Sequence, residues 1–180
     1  MGLEAFVFCD CWERGRTRPL PRTVGKVHVL PGGDLDCVSQ DPAVQDRFDR
    51  WRRRTCWHED GYAASAELGN IASVELLVTA LRPLARRFPV LLGRVLYCGS
   101  HTGDRLTRRQ IERLAVELHG LADVRLREDI GLDDELRPVR FELAEVRATG
   151  KKLDRMLWRL RRELERLVRV ALRLKKPLAF

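Results

Sequence analysis

Apolar residues recur along the chain in patterns that predict four strands and four helices. Short runs rich in β-branched or aromatic residues predict strands at 3–9, 24–30, 35–39 and 90–98. The second and third runs flank a Pro-Gly-Gly-Asp turn at 31–34, which is typical of a β-hairpin. The last run is apolar for most of its length, a pattern that favours a central strand buried on both faces.

Apolar positions three and four residues apart predict the helices. Asp41 as an N-cap, followed by Pro42, marks the start of the first helix, and the second is predicted over about 66–82. The residues of 107–110 form a capping box, which predicts the start of a third helix. These elements alternate with the strands in a way that is typical of a mixed α+β domain.

The C-terminal part of the chain predicts a connector followed by a long helix. Residues 123–138 are acidic and broken by glycine and proline, so we expect an exposed connector; residues 139–176 form a basic amphipathic helical segment. Its apolar seam repeats at alternating steps of four and three residues: Leu153, Leu157, Leu160, Leu164, Leu167, Ala171 and Leu174. We therefore predict one α+β domain over 1–180, in which about four helices pack on a small mixed or antiparallel sheet of about four strands.

The bulk composition is that of a globular domain. The chain has 180 residues, of which 44% are hydrophobic and 33% are charged. No apolar run approaches the roughly 18 to 20 residues that a membrane span requires, so we expect no membrane role. The N-terminus lacks the pattern of a signal peptide, and the five cysteines have no disulfide-framework spacing. A cytoplasmic location with reduced thiols follows as the expectation.

The net charge of +8 belongs to the C-terminal part of the chain. Residues 1–137 contain 21 basic and 21 acidic residues, whereas residues 138–180 contain 13 basic and 5 acidic ones. The candidate binding residues lie off the apolar seam: Arg155, Arg159, Arg162, Arg166 and Arg169. We expect a protein partner on this flank and treat nucleic acid as the weaker alternative, because no nucleic-acid-binding motif is present. Only five of the 34 basic residues are lysine, a bias that codon usage also produces.

The Cys-Asp-Cys stretch at the end of the first predicted strand suggests chemistry. On a regular strand Cys9 and Cys11 point to the same face, with α-carbons about 6.6 Å apart. They can share a metal ion only if the chain bends. Three interpretations remain open: a strand end with small core residues, a metal site, and a nucleophilic thiol.

Two polar stretches offer partners for these thiols. His58 lies in a Trp-His-Glu-Asp-Gly stretch, and His101 and Asp104 lie in the loop 99–104. A zinc site would take Cys9, Cys11, His58 and His101 as ligands, since thiolate sulfur and imidazole nitrogen suit this metal. A thiol enzyme would use Cys11 as nucleophile and His101 as base, with Asp104 orienting the histidine.

Several stretches resemble a family of small, functionally uncharacterised bacterial proteins. They are FVFCDCWERG, CWHEDG, LGNIASVELL, FPVLLGRVLYCGSHTGD and the terminal KPLAF. The resemblance implies a bacterial, cytosolic, single-domain protein and assigns no catalytic role to any residue. The Arg-rich helix lies outside the matching stretches.

Two functions are therefore predicted from the sequence. The preferred one is a cytosolic binding or interaction protein, regulatory or immunity-type, that needs no cofactor and engages a partner through its Arg-rich helix or its loop face. The alternative is a thiol enzyme or zinc-binding protein built on the cysteine and histidine residues. Neither interpretation identifies a small-molecule ligand.

Overall fold

The fold is α+β, as predicted, and is built on an antiparallel four-stranded sheet. The computed structural model describes residues 2–97, 104–126, 130–131 and 147–180. The strands are β1 (Gly2–Phe8), β2 (Val27–Val29), β3 (Leu35–Cys37), β4 (Tyr62–Asn70), β5 (Arg105–Leu106), β6 (Ile130–Gly131), β7 (Arg147–Ala148) and β8 (Leu178–Ala179). The α-helices are α1 (Pro42–Arg52), α2 (Ile71–Leu81), α3 (Arg108–Leu121) and α4 (Gly150–Leu174). Most of the predicted connector 123–138 lies outside the described residues.

The sheet has the strand order β4-β1-β8-β5, and every neighbouring pair is antiparallel. Its longest pairing joins β1 to β4, from Gly2 opposite Asn70 to Phe8 opposite Tyr62. The predicted hairpin is confirmed as the separate pair β2–β3. A third short pair joins β6 to β7.

Helix α4 supplies much of the main core, and its predicted seam is confirmed except at Leu174, which is only partly buried. Six seam residues are at most 3% exposed: Leu153, Leu157, Leu160, Leu164, Leu167 and Ala171. The Thr149 side chain caps the helix by accepting a hydrogen bond from the amide of Lys152, and Lys175 ends it in a left-handed conformation with φ 56°. The seam packs against α3, β4 and β1. No described helix is both long enough and apolar enough to cross a membrane.

The predicted helix over 66–82 is wrong in its first part, because 62–70 is strand β4. Leu68 is buried in that strand, so an apolar position counted toward the helical pattern belongs to the sheet. Helix α2 starts only after Asn70, whose side chain accepts a hydrogen bond from the amide of Ser73 at 2.8 Å. Pairing with β1 overrides the helical periodicity here.

The predicted central strand at 90–98 is also wrong. Residues Leu91–Val95 form a wide helical turn instead. The carboxylate of Glu117, a residue only 5% exposed, accepts hydrogen bonds from the amides of Val90 and Leu91 at 2.8–3.1 Å. It thereby satisfies donors that a helix start leaves unpaired. The apolar run is buried as expected, but as a helical turn.

The segment between β1 and β4, residues 9–61, forms a small unit that we call the insert. It contains the hairpin β2–β3 and helix α1, and its core has four buried residues: Val24, Cys37, Phe48 and Trp51. Trp51 is 8% exposed and packs edge-to-face on Trp12, which confirms its predicted core position. This core is separate from the main one, so the insert has few buried side chains of its own.

The contact between Glu117 and the turn at Val90 can be tested by mutation. We expect Glu117→Ala to lower the free energy of unfolding by about 2–3 kcal/mol, because two buried amides lose a charged acceptor. Glu112→Ala on the same helix removes an exposed ion pair with Arg108 and should cost under about 0.5 kcal/mol. Urea unfolding measures both. Equal losses in the two variants would contradict this account.

Candidate metal centre

The pairing of β1 with β4 determines which loops meet at one end of the sheet. The last register pair is Phe8 opposite Tyr62, and the amide of Cys9 extends it by donating to the carbonyl of Gly61 at 2.8 Å. Because the strands are antiparallel, the residues that follow β1 lie beside those that precede β4. Cys9 and Cys11 therefore meet the stretch that contains Cys56 and His58.

These two stretches bring four metal-ligand atoms together. The Sγ atoms of Cys9, Cys11 and Cys56 and a ring nitrogen of His58 all lie within 4.8 Å of one another. The two stretches have the forms Cys-x-Cys and Cys-x-His, and two close pairs between them join residues 47 positions apart. Cys9 Sγ lies 3.9 Å from Cys56 Sγ, and Cys11 Sγ lies 3.4 Å from His58 Nδ1.

Three of the six distances among the four ligand atoms agree with the edges of a tetrahedral site, and the other three are at most 4.8 Å. Metal–sulfur bonds of about 2.3 Å and metal–nitrogen bonds of about 2.05 Å give edges of about 3.8 Å between sulfurs and about 3.6 Å between sulfur and nitrogen. The measured edges are 3.9 Å from Cys9 to Cys56, and 3.4 and 3.7 Å from His58 Nδ1 to Cys11 and Cys56. A disulfide would need sulfurs about 2.05 Å apart, and the four described cysteines are free thiols.

The chain bends at both ligand stretches. Strand β1 ends at Phe8, so Cys9 and Cys11 lie in a turn in which the amide of Arg16 donates to the carbonyl of Cys11. The strand spacing of about 6.6 Å does not apply there. On the other side, Asp60 and Gly61 have φ values of 47° and 76°, and this left-handed turn leads the chain from His58 into β4.

Burial changes the acidity of two of the thiols. It raises the pKa of Cys9 to about 12, with the neighbouring thiols Cys56 and Cys11 contributing to the rise. Burial also raises the pKa of Cys11, which is 3% exposed. Both thiols are therefore protonated near neutral pH in the metal-free protein, and binding of a cation has to displace their protons.

The space beside the thiols is small. A cavity of about 20 Å³ lies next to Cys9 and Cys56, and its walls include Trp12, Thr55 and Gly61. That volume is near the size of one water molecule. Pockets for organic ligands are commonly of about 300 Å³ or more, so this one suits an ion better than a substrate.

The structure joins some of the residues singled out from the sequence. Cys9, Cys11 and His58 come together as the zinc hypothesis requires, whereas His101 lies outside the described residues. Cys56 was missed as a ligand. Its signal was the Cys-x-His spacing at 56–58, which mirrors Cys-x-Cys at 9–11.

Asp104, the proposed orienting acid, lies elsewhere. It precedes β5, two strands across the sheet from β1, and its carbonyl accepts a hydrogen bond from the amide of Phe180. This register places Asp104 level with Ala5 of β1. Asp104 is therefore about 13 Å from Cys9 along the strand direction and about 10 Å from it across the sheet. Its carboxylate accepts a hydrogen bond from the Tyr97 hydroxyl at 2.5 Å, which raises the pKa of Tyr97.

The predicted binding arginines lie on the surface of α4. All five are exposed: Arg155, Arg159, Arg162, Arg166 and Arg169. Arg166 pairs with Glu163 and donates to the carbonyl of Ser65, while Arg162 lies over the ring of Trp158 with its guanidinium carbon 5.5 Å from the ring centroid. The other three make no ion pair within the described residues.

Comparisons of this chain with family models, with curated proteins and with solved structures found no match in any of the three.

The raised thiol pKa values predict slow alkylation of the metal-free protein. A pKa of about 12 for Cys9 leaves far less thiolate at pH 7.5 than an ordinary cysteine has, and the reaction should quicken as the pH rises. We expect Cys9 and Cys11 to react with iodoacetamide at least tenfold more slowly than free cysteine, as measured by peptide mass spectrometry. Rapid alkylation of Cys11 at neutral pH would instead support the thiol-enzyme interpretation.

Proposed function

We propose that this chain is a zinc-binding protein in which Cys9, Cys11, Cys56 and His58 hold a structural zinc ion. The observation that carries the proposal is the set of four ligand atoms within 4.8 Å of one another. Three thiolates and one imidazole form a ligand set that zinc occupies in many structural sites. Hard cations such as magnesium and calcium prefer oxygen ligands, so this set selects against them.

The position of the four ligands in the fold supports a structural role. They join the two ends of the insert, because Cys9 and Cys11 begin it and Cys56 and His58 come shortly before its end. The insert's own core has four buried residues, and small cores of this kind commonly depend on a metal or a disulfide. A bound zinc ion would hold the two ends of the insert together at the end of the sheet where β1 stops and β4 starts.

The ligand count also favours structure over catalysis. Four protein ligands complete a tetrahedral shell, whereas catalytic zinc sites keep one position open for water or substrate. The cavity of about 20 Å³ beside Cys9 offers little room for a substrate. Zinc bound here would hold backbone segments together rather than activate water.

A second function, interaction through the Arg-rich face of α4, has its own supporting observation. The five arginines predicted from the sequence are all exposed and lie opposite the buried seam of the helix. This role was the one preferred from the sequence, and it is compatible with a structural zinc ion. The zinc ion would organise the insert while the helix engages a partner.

The zinc proposal predicts metal stoichiometry. Protein purified without added metal or chelator should contain about one zinc per chain by inductively coupled plasma mass spectrometry. Cys56→Ser should lower the content below about 0.1 per chain, because a neutral hydroxyl is a poor zinc ligand. The same variant should unfold at a temperature several degrees lower, because metal binding is linked to folding.

Cys37→Ser is the matched control. Cys37 is a buried free cysteine outside the four-residue set, and its thiol donates to the carbonyl of Val24. It should retain one zinc per chain even if its stability falls. A zinc-free wild type after zinc-replete purification, or equal zinc loss in the two variants, would contradict the proposal.

A further inference from the structure

Helix α4 presents a continuous cationic face to solvent. At 100° per residue, six arginines fall within about 60° of the direction opposite the buried seam: Arg155, Arg159, Arg162, Arg166, Arg169 and Arg173, all of them exposed. They extend over about 27 Å of helix, at 1.5 Å per residue. The acidic residues of α4, Asp154, Glu163 and Glu165, lie toward the edges of this face.

Most of these charges have no acidic partner in the described residues. Arg166 pairs with Glu163, while Arg155, Arg159, Arg169 and Arg173 make no ion pair there. A nearby acidic side chain, Glu165, forms an ion pair with Arg161, which lies outside this set of six arginines. Within the part of the chain that the structure describes, the face therefore carries four arginines without an acidic partner.

A large aromatic ring lies within the cationic face. Trp158 is 59% exposed, although a tryptophan side chain is usually mostly buried. Arg162, one turn later, places its guanidinium over this ring at 5.5 Å and enlarges the flat surface. Exposed aromatic rings beside cations are the surfaces on which unpaired bases stack.

The composition of the face distinguishes between two kinds of partner. Protein–protein interfaces are enriched in tryptophan and arginine, but their centre is depleted of charge overall, and a long row of like charges is not typical of them. Here Trp158 stands among arginines along the whole face. Interfaces with nucleic acid are instead strongly positive and polar. A regular polyanion therefore fits this surface better than a folded acidic protein does.

We propose that the exposed face of α4 binds single-stranded nucleic acid, with the arginines on the phosphates and Trp158 stacked on a base. This inference rests on the proposed interaction role of α4 and is independent of the zinc site. At the spacing of about 3.4 Å per phosphate in a fully stacked strand, the face spans at most roughly eight nucleotides, and an extended single strand places fewer on it. Readout of sequence is not required, because stacking and charge accept any base.

Fluorescence anisotropy of the full chain with labelled 20-nucleotide oligothymidylate tests this inference. With about five phosphate contacts, the logarithm of the association constant should fall against the logarithm of salt concentration with a slope of about −3.5. The triple variant Arg155→Gln, Arg159→Gln and Arg162→Gln should bind at least tenfold more weakly at 50 mM salt, and its slope should be smaller by about 2. Glutamine retains helix propensity, so circular dichroism should be unchanged.

The matched control removes the same charge from another helix surface. The exposed residues at the end of α1 and just after it include Arg50, Arg53 and Arg54. Their replacement by glutamine should change the affinity by less than about threefold. Trp158→Ala should weaken single-strand binding about tenfold, since stacking contributes about 1–3 kcal/mol per base. Val116→Ala removes another exposed apolar side chain, on α3, and should have no effect.

Three results would overturn the inference. The first is absent or salt-independent binding of the oligonucleotide. The second is tighter binding of a 20-base-pair duplex that Trp158→Ala leaves unchanged. The third is saturable binding of a labelled poly-glutamate peptide, sensitive to the arginine triple variant, without binding of the oligonucleotide. That last result would keep the interaction role of α4 and assign it an acidic protein partner.

Discussion

The pairing of β1 with β4 is the interaction on which the rest of this structure depends. It runs the full length of β1, from Gly2 opposite Asn70 to Phe8 opposite Tyr62. Because the two strands are antiparallel, the start of β4 lies beside the end of β1, and the two ends of the insert therefore meet. Without this register Cys9 and Cys56 would have no reason to lie 3.9 Å apart.

The same pairing divides the molecule into parts that depend on different forces. The main core is large, and α4 closes it with a seam that is almost wholly buried. The insert has a core of four buried residues and is tied to the sheet at its base, where the thiols and the imidazole meet. In our proposal, hydrophobic burial holds the main body and zinc coordination holds the insert.

Helices α3 and α4 could be predicted well because their signals are local, whereas the short strands β5 and β8 of the main sheet were not predicted. Thr107 and Gln110 form the capping box that starts α3, and the seam from Leu153 to Ala171 repeats regularly over the length of α4. Both signals depend on residues only three or four positions apart, so they can be recognised in the sequence without knowing the rest of the fold.

The errors occurred where a distant residue decides the outcome. Residues 62–70 become a strand because β1 pairs with them, and 90–98 starts as a helical turn because Glu117 caps it. The candidate site was predicted in part for the same reason. Cys9, Cys11 and His58 attract attention as thiols and imidazole, but Cys56 becomes their partner only through the strand register.

The most direct test of the zinc proposal is X-ray absorption at the zinc edge of the purified protein. The account predicts a four-coordinate shell of three sulfurs at about 2.3 Å and one nitrogen at about 2.0–2.1 Å. The nitrogen should show the outer-shell scattering of an imidazole ring, from His58. A shell dominated by oxygen and nitrogen, or one with fewer than three sulfurs, would contradict the account.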